Sequence, residues 1–102
     1  MTLFIAFNLD AAGMAERRTE LLPAHRAYMA VLGDKVLWGG PLLDSDGETK
    51  LGGMYVFRAA TLADARAITA ADPFVSGGVY RQCETHRWRW QSGPPVVTRP
   101  GN

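Results

Sequence analysis

Thr2-Leu3-Phe4-Ile5-Ala6-Phe7-Asn8-Leu9 is apolar on both of the faces that an extended chain presents. Successive side chains of a strand point to opposite sides, so Leu3, Ile5, Phe7 and Leu9 fall on one side and Phe4 and Ala6 on the other. The run stops at Asp10-Ala11-Ala12-Gly13, which reads as the exit turn of a buried strand. Leu51 to Arg58 repeats the pattern, with Tyr55 and Phe57 on one side and Met54 and Val56 on the other. An antiparallel sheet with one wet face alternates apolar and polar residues. This chain does not, and leaving about four such side chains in water forfeits roughly 1.5–3 kcal/mol each. Both faces of the sheet therefore require cover.

Between and beyond these strands the signals alternate. Met14 to Leu22 is polar and ambiguous. Pro23 to Leu32 places Ala24, Ala27, Tyr28, Val31 and Leu32 at helical spacing, with Pro23 in the first turn and Gly33 as the C-terminal cap. Lys35 to Leu43 reads as a strand interrupted at Gly39-Gly40-Pro41, and Asp44-Ser45-Asp46-Gly47 as a hairpin turn into Leu51 to Arg58. Thr61, with Asp64 three residues on, starts a helix that must stop near Asp72, because Pro73 disfavours helical geometry just before it. Val79 to Trp90 reads as a last strand, and Gln91 to Asn102, with three prolines and two glycines, as a tail.

The order β-α-β-β-α-β predicts an α+β, ferredoxin-like subunit: a four-stranded antiparallel sheet with two helices on one face. We expect one domain over residues 1–92 and a tail over 93–102. The other face calls for a second subunit packed sheet to sheet. The alternative cover is the C-terminal segment, with Trp88, Trp90 and Val96-Val97 folded back over the sheet. A formal charge of +1 gives no footprint for nucleic acid or an anionic membrane surface. The lone Cys83 excludes an intrachain disulfide, and the first residues lack a basic leader, so the expected location is cytoplasmic.

Only two histidines are present, so acid/base chemistry near neutral pH has few candidates. His25, placed in the first turn of a helix opened by Pro23, would sit at the positive end of the helix dipole and stay neutral, as a base should. Asp72 lies 47 positions further on. Its position before Pro73 makes it a good N-cap for one turn through Phe74-Val75-Ser76, ended by Gly77. If it also meets the imidazole, it fixes the tautomer and stabilises the cation formed on proton abstraction. Gly39-Gly40-Pro41 serves either close approach of backbone to a ligand or a strand bulge. Phe74 and Tyr80 are candidate pocket walls or core.

Other patterns fail. Cys83 and His86 point to opposite sides of a strand and cannot share a metal. The Asp44–Glu48 segment lacks the distal glutamate of a calcium loop, and the glycine pairs lack phosphate-loop spacing. Arg87-Trp88-Arg89-Trp90 reads as an edge strand, with its arginines in water and its tryptophans buried against the tail or a partner, rather than as a base-stacking surface.

Pro23-Ala24-His25, Gly39-Gly40-Pro41-Leu42, Gly52-Gly53 and Ala71-Asp72-Pro73-Phe74-Val75 with Gly78-Val79-Tyr80 together resemble the YCII-related family over roughly residues 2–90. The resemblance implies a ferredoxin-like subunit pairing into a dimeric α/β barrel, and a pocket whose catalytic pair matches His25 and Asp72. It also implies a substrate-binding set of Arg18, Gly40, Pro41, Gly53 and Phe74. Two features depart from the family pattern: Gly53 stands where the family often has serine, and the Trp-rich end lies outside it. The expected function is a cofactor-free, metal-free lyase, isomerase or dehydrohalogenase-like enzyme acting on a small organic molecule. The alternatives are a non-catalytic small-ligand-binding or accessory dimer and, more weakly, a purely structural interaction domain.

Overall fold

A computed structural model describes residues 2–94. The chain runs β1 (Thr2–Asp10), α1 (Ala15–Leu32), a 3-10 turn (Gly33–Lys35), β2 (Val36–Leu43), β3 (Lys50–Ala59), α2 (Leu62–Ala70), α3 (Pro73–Ser76) and β4 (Tyr80–Trp88). The strands form one antiparallel sheet in the order β2-β3-β1-β4, with the helices on one face. This is the expected ferredoxin-like arrangement. Val96-Val97, offered above as a cover for the open face, lie outside the described residues.

The registers assign the two faces. Phe4 pairs with Phe57 and Ala6 with Tyr55, all four buried beneath the helices with Ala59 and Ala65. The Phe4 and Phe57 rings meet at 6.0 Å, tilted by 37°, the kind of cross-strand pair that stabilises a sheet. Leu3, Ile5, Phe7 and Leu9 take the opposite face and remain partly exposed. On that face Trp38 of β2 and Trp88 of β4, on opposite edge strands, meet edge to face at 6.2 Å. Trp88 thus has a partner within its own chain. Arg87 is exposed, as expected, and its guanidinium carbon also lies 5.6 Å from the Phe4 ring centroid.

Two helical expectations hold and one does not. Thr61 caps α2 by accepting from the Asp64 amide at 3.1 Å, and Gly33, with φ +56°, ends α1 by donating its N–H to the Met29 carbonyl. However, α1 begins at Ala15, so Pro23 lies inside the helix. The side chains turned inward are Arg18, Leu21, Leu22, His25, Tyr28, Met29 and Leu32, whereas Ala24, Ala27 and Val31 face solvent. Arg18 and His25 hold central places in this stripe, and a hydropathy count cannot see them. His25 consequently lies ten residues past the helix start. The dipole acts only over the terminal turn, so the expected placement of His25 at the positive end of the helix does not hold.

β2 is likewise continuous through Gly39-Gly40-Pro41, which pair with Tyr55, Met54 and Gly53. The register shifts flank this stretch, between Val36 and Trp38 and between Leu42 and Leu43. Pro41 is tolerated because β2 is an edge strand, where an outward N–H has no strand to pair with. Gly52 opposes Leu9, where an added Cβ would collide with the Asn8 carbonyl oxygen. Gly52→Ala is therefore expected to destabilise the domain by about 1–3 kcal/mol, read as a lower denaturation midpoint with unchanged slope; an unchanged midpoint would show that this strand pair has room to yield.

Candidate active site

The inward stripe of α1 faces a cavity of about 440 Å³. Arg18, Leu22, His25 and Met29 form its helical wall, the backbone of Gly39, Gly40, Pro41 and Gly53 its sheet side, and Phe74 and Tyr80 close it. The volume lies within the range of small-molecule sites, about 300–1,000 Å³.

His25 and Asp72 meet. The imidazole Nδ1–H donates to Asp72 Oδ1 at 2.8 Å, and the carboxylate is fully buried. The same oxygen accepts the Phe74 amide at 2.9 Å, so Asp72 caps α3 and holds the histidine with one atom. With Nδ1 committed to the carboxylate, Nε2 is the ring nitrogen turned from Asp72, and it carries the free lone pair whenever the ring is neutral. His25 lines the cavity, whereas Asp72 stands behind it and does not.

Phe74 organises the rest. Its ring stacks on His25 at 4.1 Å and 13°, and the Arg18 guanidinium carbon lies 4.7 Å from its centroid. Arg18 and His25 are two helical turns apart, about 10 Å, so the ring sits between them. Arg18 is itself held, with Nε–H donating to Asp10 Oδ2 at 2.9 Å and Nη2–H to the Gly52 carbonyl at 2.9 Å. These bonds use two of its five donors.

The carboxylates nearest the cavity lie behind its wall, where Asp10 holds Arg18 and Asp72 holds His25. Arg18, Arg26 and Lys50 are among the lining residues and no carboxylate is. Burial pushes the Tyr80 phenol well above its ordinary range and the Asp72 charge pushes the same way, while Arg18 opposes them. Burial and then Asp72 likewise raise Tyr55. Both hydroxyls therefore remain protonated near neutral pH.

Every residue expected at the site is found around this cavity: His25, Arg18, Gly40, Pro41, Gly53 and Phe74 on its wall and Asp72 just behind. The sequence reading missed Arg26, Lys50 and the Asp10 anchor of Arg18. Arg26 adjoins His25, but Lys50 and Asp10 reach the site only through strand pairing and left no local signal. Cys83 and His86 oppose Asn8 and Ile5, which places them on opposite faces as expected.

An α+β sheet whose helix-covered face encloses a small-molecule-sized cavity defines the class, and the comparison with protein families sharpens it. The chain belongs to the YCII-related domain family, which matches residues 2–89. Among solved structures it is similar to the 5-chloro-2-hydroxyhydroquinone dehydrochlorinase TftG of Burkholderia phenoliruptrix AC1100, in complex with 2,5-dihydroxybenzoquinone. That likeness has 25% identity and a TM-score of 0.77, and covers 85% of this chain and 93% of that one. A hydroxynitrile lyase from Passiflora edulis is a more distant likeness, at 12% identity and a TM-score of 0.47 over 92% of this chain and 96% of that one. No curated protein sequence matches. Among the described residues no helix is long and apolar enough to cross a membrane.

The raised phenols make an alkaline prediction. All three tyrosines, Tyr28, Tyr55 and Tyr80, are shifted upward in the fold, burial first and Asp72 second. A phenol whose folded pKa exceeds its unfolded value supports stability below about pH 10 and withdraws that support as pH rises further, because the unfolded chain releases the proton first. Ultraviolet titration should show phenolate absorbance emerging together with loss of the fold, and Tyr55→Phe should move that midpoint to higher pH. Independent ionisation near pH 10 with the fold intact would contradict this.

Proposed function

We propose that the chain is an enzyme that moves a proton on a small organic molecule without a cofactor, in a lyase, isomerase or dehydrohalogenase type of reaction. The observation that carries this reading is the 2.8 Å bond between the cavity-lining His25 and the buried Asp72 carboxylate. His25 Nε2 takes a proton from the substrate as general base. Asp72 keeps the ring in the tautomer that exposes Nε2 and stabilises the imidazolium. The electron pair left on the substrate then expels a leaving group or shifts along a conjugated system, and the imidazolium returns the proton. Arg18, Gly40, Pro41, Gly53 and Phe74 hold the substrate. The likeness to a dehydrochlorinase supports this class and makes chlorinated hydroxyhydroquinones the first compounds to try.

Chloride release from 5-chloro-2-hydroxyhydroquinone is the direct assay, within a wider panel of small lyase and isomerase substrates. His25→Ala should lower kcat by about 10²–10⁴-fold, and Asp72→Asn should lower it by presenting the wrong tautomer, with ligand binding largely retained in both. Turnover that survives His25→Ala refutes the acid/base role. Binding across the panel without turnover in any variant identifies a non-catalytic ligand-binding module.

The open sheet face supports the second part of the proposal, a homodimer packed sheet to sheet. Leu3, Ile5, Phe7, Leu9 and the 47% exposed Trp38 are more apolar surface than one sheet face normally leaves to water. Sedimentation at micromolar concentration should give a dimer, and Ile5→Lys should dissociate it. A monomer for the unmodified chain ends this part of the proposal.

A further inference from the structure

The position above Gly53 is enclosed by polar atoms of three different elements. A Cβ built there would lie 3.3 Å from the Tyr80 hydroxyl, 3.7 Å from the Gly40 carbonyl oxygen and 3.9 Å from Arg18 Nη2. Gly53, Tyr80, Gly40 and Arg18 all line the same cavity as His25. The notch therefore offers a hydroxyl donor, a cationic donor and one acceptor within reach of a single small group, and it stays open because residue 53 carries no side chain.

Two further observations say what would fit it. Arg18, Arg26 and Lys50 line the cavity, while the carboxylates of Asp10 and Asp72 lie behind its wall, bonded to Arg18 and His25, so the notch attracts an oxygen through its donors rather than through a net positive field. Arg18 is fixed in place by Asp10 and the Gly52 carbonyl, with its side chain only 10% exposed, so it is preorganised rather than mobile. The Phe74 ring stacks on His25 at 4.1 Å and lies 4.7 Å from the Arg18 guanidinium carbon, so one ring contacts both the base and the cationic donor of the notch.

We propose that Tyr80, together with Arg18, binds an acidic oxygen of the substrate over Gly53, and that the substrate class is a phenol or enol held by that oxygen while His25 handles a proton elsewhere on the molecule. Tyr80 donates its O–H and Arg18 supplies charge to the ionised oxygen. The Gly40 carbonyl accepts from the neutral form before ionisation. Burial keeps the Tyr80 phenol protonated and hence a donor. Gly53 becomes a specificity position, since any side chain there occupies the place of the substrate oxygen. This deepens the proposed enzyme reading and rests on it for the role of His25, but the oxygen site can be tested without turnover.

The test is equilibrium binding of 4-nitrophenol and of its methyl ether, 4-nitroanisole, followed by calorimetry and by the visible absorbance of the phenolate. The unmodified chain should prefer the phenol and bind it as the phenolate. Tyr80→Phe should weaken the phenol by at least about tenfold, as loss of a hydrogen bond to a charged group does, and leave the ether unchanged. Gly53→Ala and Gly53→Ser should weaken the phenol more than the ether, while His25→Ala should keep the preference. Equal uptake of phenol and ether, binding of neither, or a Tyr80→Phe variant that retains the full preference overturns the proposal. Retained preference in a chain that turns over none of its panel leaves the oxygen site standing and removes the enzyme reading, so the two failures are distinct.

Discussion

One carboxylate oxygen holds the site together. Asp72 Oδ1 takes two donors, the Phe74 amide two residues ahead and the His25 imidazole 47 residues behind. The first bond starts the short turn α3 and so sets where the Phe74 ring lies; the second fixes the ring that stacks on it. A fully buried carboxylate is costly unless it is hydrogen-bonded, and Oδ2 has no partner among the described residues. Both compensating bonds therefore converge on a single atom. Capping and orienting the histidine, which the sequence allowed Asp72 to combine, share one oxygen atom.

The cavity exists because glycines lie beneath α1. Gly39, Gly40 and Gly53 bring bare backbone to the edge of the sheet, and side chains at two of these positions would press on Tyr55 or the Tyr80 hydroxyl. Elsewhere the same face is filled by Phe4, Phe57 and Tyr55. A domain of this size has little core to spare, and it makes room for a ligand where β2 and β3 omit side chains.

Much of this was legible in the sequence, for identifiable reasons. Strands announce themselves by two-residue alternation, which separated Phe4 and Ala6 from their neighbours on β1 and Tyr55 and Phe57 from theirs on β3; only the register showed that the two sets share one face. Thr61, Asp72 and Gly33 are caps whose residue type states their role. The first half of α1 was hidden because its inward stripe contains Arg18 and His25, polar residues that a hydrophobic count treats as solvent-facing. Pro23 reinforced the error, because proline reads as a helix start even where an exposed position lets it remain inside. Asp10 and Lys50 reach the site through long-range pairing, which no local pattern encodes.

The Trp38–Trp88 contact has an optical consequence. Two indoles held at 6.2 Å and nearly perpendicular couple their electronic transitions, which gives the folded sheet a circular dichroism signature that neither residue has alone. Trp38 and Trp88 belong to the first and last strands of the sheet order, so the pair reports on the whole width of the sheet at once. Neither residue lines the His25 cavity. The protein therefore carries a built-in chromophore on the face away from its ligand site, one that registers the integrity or covering of the sheet and not direct contact with a ligand.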